Sequence, residues 1–74
     1  MRKLTTETGF IAAYATDDVP ALLAVHERHP HWQFWGCPEA AEFMLARPDQ
    51  NAHDLRRGEW TRLDVADVEE FLEE

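Results

Sequence analysis

Apolar residues along this chain recur mostly at helical spacing. In VPALLAVHERH, Val19, Leu22, Leu23 and His26 fall on one helical face. Asp17 and Asp18 can cap that helix, Pro20 suits its first turn, where a missing N–H costs nothing, and Pro30 ends it. The pattern predicts a helix from Val19 to His29. A second helix is predicted over PEAAEFMLAR, opening on Pro38 after Cys37, with Glu39 and Glu42 near its positive end and Pro48 as its stop. A third, QNAHDLRR, is capped by Asp49 and closed by Gly58, with only Ala52 and Leu55 to face a core. Asp64 then caps a last helix on which Val65, Val68, Phe71 and Leu72 form an apolar stripe.

Three stretches are less regular. KLTTETGFIAAYAT reads as a strand from Phe10 to Thr16 with a hairpin turn near Thr8-Gly9, or as a helix with Phe10, Ile11 and Tyr14 on one face. The alanines at 12, 13 and 15 tip it towards helix, since β-branched residues are scarce. HWQFWG reads as a connector closed by Gly36, and EWTRL as a short strand or linker. The expectation is a mostly α fold, a single domain over residues 1–74 built as a bundle of four or five short helices. The alternative is α+β, with a small sheet from residues 10–16 and 59–63.

Size and composition narrow the class. A chain of 74 residues is near the lower limit for a self-sufficient core. Its one cysteine rules out an internal disulfide, and an apolar fraction of 45% argues against disorder. The longest apolar run, FIAAYA, is far short of the roughly 20 residues a membrane span needs and too short for a signal-peptide core. With the lone cysteine, this points to a cytoplasmic protein. The formal net charge is −8. Residues 1–36 hold Arg2, Lys3 and Arg28 against four acids, whereas residues 37–74 hold four arginines against eleven acids. A phosphate backbone would be repelled by that second half, so direct nucleic-acid binding is disfavoured and a protein partner with a basic surface is expected.

HERHPHWQFWGC, residues 26–37, concentrates the candidate chemistry. His26, His29, His31 and Cys37 have the ligand types and number of a zinc site, and His53 can replace one of them. Their spacing matches no structural zinc pattern; read without a metal, His26 edges the helix, His29 sits at its C-terminus and His31 is solvated. Cys37 before a helix would have a lowered pKa. It has no orienting residue or cleft with it, and a small half-buried cap is the ordinary role. No enzyme is expected. In an extended segment, Trp32 and Phe34 would point one way and Gln33 and Trp35 the other. Either the segment is sandwiched with both sides buried, or part of Trp32, Phe34 and Trp35 meets a partner, tryptophan being a frequent interface anchor.

From Asp64 to Glu74 there are six acids and no base. Asp64 and Asp67 suit a helix N-terminus, while Glu73 and Glu74 oppose the dipole. The tail is a solvated end, or a negative face that attracts an arginine-rich partner. The leading expectation is a small protein-interaction module or stoichiometric regulator or inhibitor, binding through Trp32, Phe34 and Trp35 and an acidic face of Asp67, Glu70, Glu73 and Glu74. Mimicry of a nucleic acid is one version of it, and a homodimer is compatible with it. The alternative is a zinc-stapled structural module.

Overall fold

A computed structural model describes residues 1–72. Glu73 and Glu74, named above in the acidic face, lie outside the described residues. The chain runs β1 (Arg2–Thr5), β2 (Ile11–Thr16), α1 (Val19–Arg28), β3 (Gln33–Cys37), β4 (Glu42–Ala46), α2 (Ala52–Leu55), β5 (Thr61–Leu63) and α3 (Val65–Glu70). The strands form one antiparallel sheet in the order β1-β2-β4-β3-β5. With 28% helix and 32% strand, the expected mostly helical bundle is overturned. In the α+β alternative, residues 10–16 and 59–63 were to pair with each other. The strands found there, β2 and β5, are instead separated by β4 and β3.

Two hairpins and two crossovers, one through α1 and one through α2, build the sheet. In the first, the Thr6 N–H donates to the Phe10 carbonyl (2.7 Å) and the Gly9 N–H to the Thr6 carbonyl (2.9 Å). Gly9 takes φ +89°, which only glycine adopts freely. In the second, the Ala40 and Ala41 N–H groups reach back to the carbonyls of Cys37 and Pro38. Between the hairpins, α1 carries the chain over one face, so β2 and β3 run parallel with β4 inserted between them.

The largest departure from the sequence pattern is at residues 38–47, read as a helix but folded as a turn and the central strand. Met44, Leu45 and Ala46 are each 0% exposed. A strand flanked by neighbours and covered on both faces needs an unbroken apolar run. Such a run of four or five residues fits a buried helix turn equally well by periodicity alone. The helix propensities of Glu, Ala, Met and Leu amount to tenths of a kcal/mol per residue, and pairing with two strands outweighs them. The alanines of β2 follow the same logic. Ala12, Ala13 and Ala15 are all at or below 1% exposure, small residues beneath two covering layers.

Those layers define two cores. On one face, Phe34 and Leu45 pack with Val19 and Leu22 of α1 and Val68 of α3. On the other, Ala13, Trp35, Met44 and Ala46 pack with Ala52 of α2 and with Trp60. The Trp60 indole N–H donates to the Arg56 carbonyl (3.2 Å). α1 has the boundaries its caps suggest: the Asp18 carboxylate accepts from the Ala21 N–H (3.2 Å) and His29 ends it. α2 is one turn rather than eight residues, capped by Asn51 rather than Asp49. In α3 the Asp64 N–H donates to the Asp67 carboxylate (3.0 Å), and of the predicted apolar stripe only Val68 is buried. Among the described residues no helix is long and apolar enough to cross a membrane.

Ala41 closes the second hairpin at φ +52°, a left-handed conformation that costs a residue bearing a Cβ about 1–2 kcal/mol. Ala41→Gly removes that cost and adds a smaller entropic loss in the unfolded chain. The variant is expected to be more stable by about 0.5–1 kcal/mol in urea unfolding.

Candidate functional site

Strand alternation divides the His/Cys cluster. The His26 ring lies 4.7 Å from that of Phe34, on the α1 face. The His29 ring stacks on Trp32 at 4.2 Å. His31 is exposed. Cys37 belongs to the opposite core with Trp35, Met44 and Trp60, roofed by Gly58, where an added Cβ would lie 3.0 Å from Sγ. His53 sits at α2, where a ring nitrogen is 3.0 Å from the Asn51 side-chain oxygen. Among the described residues, no group of three or more His, Cys, Asp or Glu side chains converges as a metal would require. The zinc set His26, His29, His31 and Cys37 is therefore not assembled. Cys37 also ends a strand instead of starting a helix, which removes the dipole that would have activated its thiol.

The aromatics named as contacts separate similarly. Phe34 (2% exposed) and Trp35 (8%) are core residues, one on each face of the sheet, and neither offers a surface to a partner in this structure. Trp32 is half-buried in a ridge with Tyr14, 5.9 Å away, and His29. The Arg47 guanidinium lies 5.3 Å from the Trp32 ring centre, while its Nε donates to the Ile11 carbonyl (2.7 Å). Asp67 and Glu70 are exposed on α3, and Asp67 is also part of that helix's cap.

The structure exposes a feature that the sequence reading did not assemble: an apolar groove of about 500 Å³ beside the second hairpin. Gly36 sets its floor. A Cβ there would stand 2.8 Å from Leu63 Cδ1 and 3.8 Å from Phe43 Cδ1, so Leu63 of β5 folds over bare backbone. Phe43 and Phe71 meet edge-to-face, ring centres 4.9 Å apart. The turn at Pro38 and Ala41 forms another wall. Phe71 and Leu72 are each 48% exposed.

Glu42 is the one charged residue lining the groove among the described residues, and its carboxylate is ion-paired with Arg56. Ala41 and Glu42 also line a second, more polar depression of about 330 Å³, where Arg2, Asp17 and Arg56 contribute both signs of charge and Thr16 a hydroxyl. Two sequence signals could have found the groove. A glycine sits between Trp35 and Cys37 inside a buried run, and Phe71 follows the acids of α3.

Fold and site together define a small antiparallel sheet domain with helices on its faces and an apolar groove at one end. Comparisons with protein-family models, with curated proteins and with solved structures find no match to this chain.

Because its histidines and cysteine are divided between two faces, the folded protein is expected to keep its melting midpoint when a chelator is added. A fall in the midpoint, restored by zinc, would reinstate the metal staple. Cys37, 3% exposed, is expected to react with a thiol reagent only as fast as the protein opens. The check is that the rate rises with urea in step with global unfolding.

Proposed function

We propose that this protein is a small interaction module, a stoichiometric binder or regulator, that takes apolar side chains of a protein partner into the groove between Phe43, Leu63 and Phe71. The observation that carries this reading is the groove itself, with Phe71 half-exposed in its wall. Burying a large apolar side chain contributes about 1.5–3 kcal/mol, a large term for a chain of this size. Residues that could serve the core are instead left on a concave, carbon-lined surface, as at an interface.

The reading is of a binder and not an enzyme. Among the described residues the groove walls are almost wholly apolar, the one carboxylate lining it is held by Arg56, and the Cys37 thiol is buried in the opposite core. A homodimer through the groove would bring two acid-rich halves together, so a different protein is the better occupant. Mimicry of a nucleic acid calls for a continuous charged surface, whereas here the acids of α3 adjoin an apolar floor. A reducing, cytoplasmic setting suits a buried free thiol.

The test is a titration of isotope-labelled protein with an uncharged amphipathic peptide of leucine and serine, followed by amide chemical shifts. Shifts are expected to concentrate at Gly36, Phe43, Leu63 and Phe71. Phe71→Ser should abolish them while lowering stability by about 1 kcal/mol or less, since the ring is half-exposed. Shifts confined to the Tyr14–Trp32 ridge, or spread evenly over the sheet, would show that the groove is not the contact surface.

A further inference from the structure

We infer that the segment received by the groove is cationic, a protein segment with a lysine or arginine beside its apolar anchor, and that Glu42 takes that cation. The inference rests on the groove being the contact surface. Glu42 stands at the boundary of the two depressions, its side chain 18% exposed. Arg56, which holds its Oε1, lines the second depression and not the groove. No other hydrogen bond to the Glu42 carboxylate is found among the described residues. A carboxylate has about four acceptor positions on two oxygens, so Glu42 can receive a second cation from the groove side while Arg56 stays in place. In a half-dry groove such a charge-assisted contact is stronger than one made in open water.

The field around the groove has the same sign. Between Asp64 and Leu72, the segment that brings Phe71 to the groove carries Asp64, Asp67, Glu69 and Glu70 and no base. All four are exposed and act at long range, drawing in a cation and turning away an anion. A phosphate-rich nucleic acid or an anionic membrane would meet that field as a barrier. A basic protein segment would meet it as steering, with apolar side chains to fill the floor and a cation for Glu42.

The experiment compares three peptides of one length and one leucine face, with serine, lysine or glutamate on the other face, titrated into the full chain. The leucine–lysine peptide is expected to bind about tenfold more tightly than the leucine–serine one, and the leucine–glutamate peptide more weakly than either. Added salt should remove most of the difference. Glu69→Gln with Glu70→Gln, exposed positions on α3, should slow association of the lysine peptide and leave its dissociation rate unchanged.

Glu42→Gln should remove most of the preference for lysine while keeping the binding of the serine peptide. Where Glu42→Gln does not fold, Arg56→Gln replaces it: a carboxylate released from its internal cation should bind the lysine peptide more tightly. Equal affinity for the lysine and serine peptides would overturn the cationic occupant and leave the groove standing. Full lysine preference in Glu42→Gln, or unchanged affinity in Arg56→Gln, would overturn the role of Glu42. Absence of groove shifts with all three peptides would overturn the groove itself. Shifts with anionic vesicles or duplex DNA matching those with the lysine peptide would overturn a protein segment as the occupant.

Discussion

Met44, Leu45 and Ala46 lie between two strands and beneath side chains on both faces, so every backbone group of that strand depends on β2 and β3 for its hydrogen bonds. A sheet with such a centre must be covered twice. On one face α1 and α3 supply the cover. On the other, among the described residues, the cover is the single turn of α2 and the loop behind it, and there Trp35 and Trp60 fill by bulk what a longer helix would otherwise fill. The aromatic richness of this short chain is therefore mostly volume for a second core. The groove lies beside the first cover, where Phe71 ends α3.

The same economy explains the charge. Three of the four arginines in the second half are tied to the framework. Arg47 holds the Ile11 carbonyl beside Trp32, Arg56 pairs with Glu42, and Arg62 lies 5.5 Å from the centre of the Trp35 ring. Guanidinium groups suit such places, being flat, weakly hydrated and able to lie against an aromatic ring. With those cations committed near the sheet, the acids of α3 face solvent with no basic side chain between Asp64 and Leu72. The negative face is as much a result of where the arginines went as of how many acids there are.

What was legible in the sequence was what is decided locally. α1 begins at Val19 because Asp18 caps it and Pro20 fits its first turn, and those signals lie within a few residues of each other. The opposite directions of Phe34 and Trp35 follow from alternation alone. β4 was not legible, because FMLA suits a buried helix and a buried strand alike and only the flanking strands decide between them. β2 was misread for the same reason, its alanines being a response to the layers above and below. Of the groove, Gly36 and Phe71 were visible as residues. The meeting of Gly36 with Leu63 and of Phe71 with Phe43 depends on pairings distant in sequence. The His/Cys cluster shows the converse: neighbours in sequence, sent to opposite faces by one extended segment.

The strand order has a consequence for how the chain reaches its structure. β1–β2 and β3–β4 are local hairpins, but the seams β2–β4 and β3–β5 each join residues about 30 positions apart, and closing such loops costs entropy before contacts repay it. Neither hairpin has a core alone, since Leu22 covers the paired Phe34 and Leu45 only after α1 has crossed the sheet. Until the β2–β4 seam closes, the two hairpins are separate ribbons with open edges. Folding is expected to be slow for so short a chain and to have few stopping points.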